Sequence, residues 1–304
     1  MRWIVPIAVA VALVALALFG TMAHAQQLAN ALEAYSYIIR LSELGVNTTG
    51  MINELNNAIE MGELGYTSNA TAIINNLITE ARAELPIAQQ HYWLFIAIDA
   101  VVAAVAVTLA SILYVKRREL IGSMWLRFRG EDRVRNGGSG RPRSMLFNAE
   151  VASVVLAIII ILTVFLVAQL IVSGRTQPFS AIALLGPSGK IGGYPSTVIV
   201  GQPINLYIYV YNHMNAPTWF VVRLYITNNT ALQPPLNITP IATYQRVLGE
   251  NDSWLIPITF TLNSTGTYRL IGELWMYSPN NLTLTYTGNY VQLWVNATQV
   301  MPSG

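Results

Sequence analysis

The stretch Ile204-Asn205-Leu206-Tyr207-Ile208-Tyr209-Val210-Tyr211 alternates aliphatic and polar or tyrosyl residues without a break. A period of two is the mark of a strand with one buried face. Ile204, Leu206, Ile208 and Val210 are placed on the core side. Asn205, Tyr207, Tyr209 and Tyr211 fall on the other, as a binding face or as ordinary residues of a partly covered sheet. Similar runs lie to either side: Phe179–Leu185, Thr197–Val200, Trp219–Thr227, Ala242–Leu248, Ser253–Thr261, Tyr268–Tyr277 and Asn289–Val295. Each is rich in Val, Ile, Thr, Tyr or Trp, and Gly, Pro, Asn and Asp punctuate them. Short strands with no helices between them predict an antiparallel β-sandwich over residues 174–304.

Upstream the pattern changes. Two apolar runs of 22 residues, Leu94–Val115 and Val151–Val172, would each reach roughly 33 Å as helices. A hydrocarbon core is about 30 Å thick. Both are expected to be transmembrane helices, in segments 91–115 and 148–173. Between them Lys116–Arg143 carries nine of the protein's 17 basic residues and three acidic ones. Basic loops stay on the cytoplasmic side, so this loop (116–147) is placed inside and both flanks outside. A shorter apolar run, Ile4–Phe19, follows Arg2 and precedes Ala23-His24-Ala25. It reads as a signal peptide over 1–25, with an uncleaved signal anchor as the alternative. The lipid bilayer is thus the first partner.

Composition agrees. Hydrophobic residues make up 53% of the 304 and charged residues 11%, where ordinary domains carry about 25% charged. The absence of cysteine excludes disulfides, thiolate metal sites and thiol catalysis.

Segment 26–90 reads as an external helical hairpin of two or three short helices. Leu28, Leu32, Tyr35, Ile38, Ile39 and Leu41 recur at helical spacing, and Gly45 ends that helix. Met51, Ile52, Leu55 and Ile59 form a second pattern. Ile73, Ile74, Leu77 and Ile78 form a third, closed by Pro86. Gly62, Gly65 and a turn near Ser68 separate the last two. So small a segment would pack on itself, on the β domain or on a partner; it reads as a spacer, with a protein-docking surface as the alternative.

Asn-x-Ser/Thr sequons begin at Asn47, Asn69, Asn228, Asn237, Asn251, Asn263, Asn281 and Asn296. All eight fall in segments placed outside, where glycan transfer occurs. They are candidate N-glycosylation sites.

Little points to chemistry. Gly186-Pro-Ser-Gly189-Lys190 has two residues between its glycines and Ile191 after the lysine, whereas a phosphate loop needs four and a Ser or Thr. His24, His91 and His213 have no convergent partners in sequence, and Glu250/Asp252 read as a solvated turn. Asp99, the one charge inside a span, is a candidate for pairing within the membrane. Trp125-Leu-Arg-Phe-Arg129 and the nearby arginines read as a loop lying on anionic headgroups rather than on nucleic acid.

A resemblance runs through Gly186-Pro-Ser-Gly-Lys-Ile-Gly-Gly-Tyr-Pro-Ser196, Val198-Ile-Val-Gly-Gln202, Val210-Tyr-Asn-His213 and Gly266-Thr-Tyr-Arg-Leu270. Over roughly 180–295 the chain resembles the archaeal membrane-protein family known as domain of unknown function 1616. The resemblance implies an immunoglobulin-like sandwich beside membrane helices and brings no established activity. Where members carry an acidic residue after the Asn-His pair, Met214 stands here.

The expected architecture is therefore membrane α + β: signal peptide, external helical hairpin, two transmembrane helices and an external immunoglobulin-like β-sandwich. No catalytic, cofactor or metal residues are assigned. The expected function is a non-enzymatic cell-surface scaffold or interaction subunit meeting protein partners in the membrane or surface layer. The alternatives are an accessory subunit for protein export or N-glycosylation, and a sugar-binding or solute-sensing module.

Overall fold

The computed structural model describes residues 25–129 and 177–299. The signal peptide, the second half of the basic loop and the run Val151–Val172 lie outside the described residues. Three helices come first: α1 over residues 25–43, α2 over Thr49–Glu63 and α3 over Thr67–Arg129. Eight strands follow, here β1 (Phe179–Leu185), β2 (Thr197–Ile199), β3 (Pro203–His213), β4 (Thr218–Thr227), β5 (Ala242–Leu248), β6 (Ser253–Thr261), β7 (Gly266–Tyr277) and β8 (Leu284–Thr298).

The strands form two sheets, one ordered β1-β3-β6 and the other β2-β8-β7-β4-β5. Their inner faces share one apolar core. Ile204, Leu206, Ile208 and Val210 of β3 are all buried in it, facing Phe220, Val222 and Leu224 of β4 and Leu270 and Leu274 of β7. The alternation in β3 thus places its aliphatic set as its period requires. The sandwich is not wholly antiparallel, as the sequence led us to expect. Short β2 runs parallel to the end of β8, with Thr197 opposite Asn296.

A second difference lies in β8, which begins at Leu284 rather than Asn289. Gly288, directly before that expected start, is one of the glycines that punctuate the strands in the sequence. It lies instead at an irregularity inside a long strand, where the register with β7 shifts between Glu273 and Trp275. Gly288 takes φ +85° there, a conformation that favours glycine, and Thr287 Oγ1 donates to the Leu274 carbonyl at 2.8 Å. A bulge of this kind lets a strand bend without ending.

The helices differ more. Gly45 and Gly65, at φ +82° and +89°, follow α1 and α2 as left-handed terminators. Gly62, expected to separate helices, is buried inside α2 instead. Pro86 does not end α3 but sits within it, and the helix runs on to Arg129, through the first part of the segment expected to be a loop. Proline removes one backbone donor from an interior turn; neighbouring turns keep theirs, so an otherwise helix-forming sequence continues past it.

The chain divides into two compact units. One combines the residues up to Gln90 with those from Gln177 onward; the other begins at His91 and runs to Thr176. In the first, the three helices do not merely pack on one another. Tyr35, Ile38 and Leu41 of α1, Leu55 and Ile59 of α2, and Ile74 and Leu77 of α3 form a core that also contains Trp219, Val221, Val247 and Tyr277 from the sandwich. In the second unit, Trp93, Leu94, Phe95, Ile96, Ile98, Val101, Val102 and Val105 of α3 are all exposed. Judged on the described residues, no helix is long and apolar enough to cross a membrane. The spans expected at 94–115 and 151–172 rest on the sequence alone.

Candidate functional site

The seam between helices and sandwich fixes the most distinctive surface. β4 and β5 turn Trp219, Val221 and Val247 away from the inter-sheet core, because strand residues alternate faces. α1 covers them. The Tyr35 ring meets Trp219 edge-on, with centroids 5.8 Å apart, and Trp219 also contacts Tyr277 at 4.9 Å. Tyr35 Oη donates to the Pro217 carbonyl at 3.2 Å and accepts from the Trp219 amide at 3.1 Å. Burial pushes the Tyr35 phenol up to about 12, against a smaller lowering from the Trp219 amide. The packing dominates the energetics. A fully buried large apolar side chain contributes about 1.5–3 kcal/mol, and a hydrogen bond nets about 1 kcal/mol.

Asn56 of α2 adds direction to the seam. Its Nδ2 donates to the Val247 carbonyl and its Oδ1 accepts from the Val247 amide, both at 2.8 Å. β5 is an edge strand, and edge strands leave backbone groups open to other chains. At Val247 a side-chain amide takes the place of the missing neighbour.

Beside Asn56 lies a cleft of about 390 Å³. α2 lines one wall with Asn53, Asn57, Glu60 and Glu63, a polar stripe next to its buried Met51, Ile52, Leu55 and Ile59. Gln245 and Arg246 of β5 and Trp254 of β6 line the other. Trp254 is partly buried against the sandwich core. Among the described residues, the side chains of Asn53, Asn57, Glu60, Gln245 and Arg246 make no hydrogen bonds of their own.

The polar residues elsewhere are committed to structure. Asn212 is fully buried. Its Nδ2 lies 2.8–3.0 Å from the carbonyls of Ala216, Leu248 and Gly249, and its Oδ1 accepts from the Met214 amide at 3.0 Å. It ties together the turns that follow β3 and β5. His213 is not isolated, as its sequence context implies. Its Nδ1 lies 2.6 Å from Asn251 Oδ1, and its ring contacts Phe179 and Tyr211. In the turn below, Asp252 Oδ2 accepts from the Gly249 amide at 3.2 Å.

β7 carries two buried charges. Arg269 Nη1 donates to the Leu232 carbonyl at 2.8 Å, Nε donates to Gln292 Oε1 at 2.8 Å, and Nη2 reaches the same Gln292 oxygen. Glu273 is wholly buried and accepts from the Leu236 amide at 2.6 Å and from Trp275 Nε1 at 3.0 Å. Together they pin the β4–β5 connection onto the large sheet. Buried charges are tolerated when bonded in this way. Burial, and then the Glu273 carboxylate, push the Tyr225 phenol up.

All eight sequon asparagines are exposed, and all lie in the unit that joins helices and sandwich. Asn47 and Asn281 share one geometry, their Oδ1 accepting from the amide and hydroxyl of Thr49 and Thr283. Asn251 differs: its Oδ1 also accepts from Tyr211 Oη at 3.3 Å. Asn69 falls in the first turn of α3; Asn228, Asn237 and Asn263 fall in connections and Asn296 near the end of β8. Asp99 is exposed on α3 and has no ion pair among the described residues. Gly186–Lys190 is a turn, closed by the Gly186 amide on the Lys190 carbonyl at 2.8 Å. Among the described residues no group of three or more His, Asp or Glu is placed to hold a metal ion.

Tyr207, Tyr209 and Tyr211 are half-buried on the outer face of the small sheet, across from Leu185, Ala183 and Ala181 of β1. Sequence reasoning found this face. It missed the cleft, although the amide-rich run Asn53-Glu-Leu-Asn56-Asn57 on an amphipathic helix was a visible signal.

Residues 173–296, under half of the chain, match the family model described as Domain of unknown function (DUF1616). Over that stretch the β-sandwich is similar to the DUF1616 domain. No curated protein matches the chain. Among solved structures, the chain is similar to the CARDB domain of the PF1109 protein from Pyrococcus furiosus, crystallised with di-metal ions. That likeness has 18% identity, 40% coverage of this chain and 89% of that one, and a TM-score of 0.29. A β-glucosidase from Listeria innocua matches at 11% identity, covering 42% of this chain and 17% of its own, with a TM-score of 0.30. Another, from Erythrobacter marinus, matches at 11% over 41% and 16%, with a TM-score of 0.26. The matched part spans less than a fifth of either β-glucosidase. Likeness at this level says nothing of what the β-sandwich or its helices bind.

Proposed function

We propose that the chain is a non-enzymatic, membrane-anchored cell-surface module. In this reading, helices at 94–115 and 151–172 anchor it, the basic loop faces the cytoplasm, and the helix–sandwich unit is presented outside, with glycans on its sequons. The observation that carries the reading is the common core of helices and sandwich around Tyr35 and Trp219. Two segments separated in sequence by both apolar runs pack as one unit, so both must lie on the same side of a membrane. An even number of crossings between them is what such packing requires. The exposed apolar side chains of α3 from Trp93 to Val105 add support, since a helix in water normally buries a stripe and one in lipid does not.

Purification of the full chain in mild detergent, with mass spectrometry of what accompanies it, tests the interaction role. A stoichiometric surface or membrane partner supports it. Recovery of the chain alone, at native expression and under several detergents, would sink it. Co-purification with glycosyl-transfer or export proteins would favour the accessory-subunit reading.

A further inference from the structure

We infer that the cleft between α2 and the β5/β6 edge is a saccharide-binding site. This goes beyond the display reading and does not depend on it, because the cleft lies within a single unit whichever way the chain is oriented.

Its chemistry is what a sugar needs. Vicinal hydroxyls are at once donors and acceptors, and side-chain amides match both functions from one planar group. Asn57 and Gln245 supply two such groups on opposite walls, with Glu60 as an acceptor and Arg246 as a donor beside them. Trp254 provides an apolar surface at the same place, held by the core on one side. An indole fixed in this way offers contact area at little entropic cost and suits the C–H face of a pyranose ring. The volume of about 390 Å³ is at the lower end of the range for small-molecule sites, about 300–1,000 Å³. One or two sugar rings would fill it.

Other occupants fit less well. A phosphate would want several cations, and Arg246 is the one cation in the lining, beside Glu60 and Glu63. A strand-forming peptide would want the free backbone of β5, but Asn56 already occupies both groups of Val247. A metal ion would want three convergent ligands of the carboxylate or imidazole kind, and none are grouped so among the described residues.

The test uses the full chain in detergent, made in a host without N-glycosylation. The probes are the methyl glycosides of glucose, galactose, mannose and N-acetylglucosamine and their β-linked disaccharides, followed by tryptophan fluorescence and calorimetry. At least one should bind saturably. Asn57→Ala and Gln245→Ala should each weaken it by about three- to tenfold, the effect of losing one hydrogen bond, with melting unchanged. Trp254→Phe should remove the fluorescence signal while retaining the fold. Failure of every probe to bind saturably would overturn the proposal. So would binding that both amide variants leave intact. An equal response to calcium chloride alone, abolished by Glu60→Gln, would also overturn it in favour of a cation site.

Discussion

Replacing Tyr35 by phenylalanine removes one oxygen atom from the seam and leaves the ring contact with Trp219 in place. The oxygen serves two backbone groups, the Pro217 carbonyl and the Trp219 amide. Both belong to the sandwich, while Tyr35 belongs to a helix more than 180 residues earlier in the chain. Each lost bond nets about 1 kcal/mol, and a buried group left unpaired costs up to about 3 kcal/mol. The expected destabilisation is about 2–4 kcal/mol. A unit of this size shifts by about 2–4 °C per kcal/mol, so melting should fall by roughly 4–16 °C.

The pH dependence provides an internal control. The phenol titrates at about 12 in the folded chain and at about 10 when unfolded. Between those values the folded state holds a proton that the unfolded state has lost, so stability falls as pH rises. Tyr35 contributes fully below pH ~10, and by pH ~11 about 1.4 kcal/mol of its contribution is gone. The gap between wild type and Tyr35→Phe should therefore narrow by that amount between pH ~8 and ~11. Thermal and denaturant melts of the full chain in detergent, followed by near-ultraviolet circular dichroism, read the two quantities. A variant melting within about 1 °C of wild type, with a gap independent of pH, would refute the reasoning.

Asn56→Ala should cost about 1–3 kcal/mol, since it strips both Val247 backbone groups of their partner; chemical denaturation measures it, and Asn56→Gln should not restore the loss because its extra methylene displaces the amide. Glu273→Gln has only one side-chain oxygen for the Leu236 amide and the Trp275 indole, so one donor is left unpaired at about 1–3 kcal/mol. Hydrogen exchange should speed up over residues 228–241 while β3 and β6 stay protected. In its native host the chain should carry glycans on several of the eight sequons and none elsewhere; peptide mass spectrometry after deglycosylation shows which asparagines were occupied.

The strands were the most legible part of this sequence. Ala242–Leu248 and Ser253–Thr261 begin and end where the structure places them, because β-branched and aromatic runs bounded by turn residues leave little ambiguity. The start of β8 fell before Asn289 because a glycine such as Gly288 serves a bulge inside a strand as well as a turn between strands. Pro86 does not mark the end of α3, because the long helix-forming sequence beyond it outweighs proline's local penalty. The seam was legible only as one of three alternatives, the packing of the helical segment on the β domain; the residues that make it were not. Tyr35 and Trp219 each look like ordinary core residues in their own segments, and nothing in a local pattern pairs two residues so distant. Arg269 and Glu273 were hidden for the related reason that their partners, Leu232 and Leu236, lie in a connection without periodicity.

The absence of cysteine makes the orientation directly measurable. Single cysteines placed at Ser68, at Thr267 and at Ser139 would report on the helices, the sandwich and the basic loop in an otherwise thiol-free chain. Labelling with a membrane-impermeant maleimide in intact cells should modify Ser68→Cys and Thr267→Cys together, and Ser139→Cys only after permeabilisation. Labelling of Ser139→Cys in intact cells, or protection of either of the other two, would contradict the account.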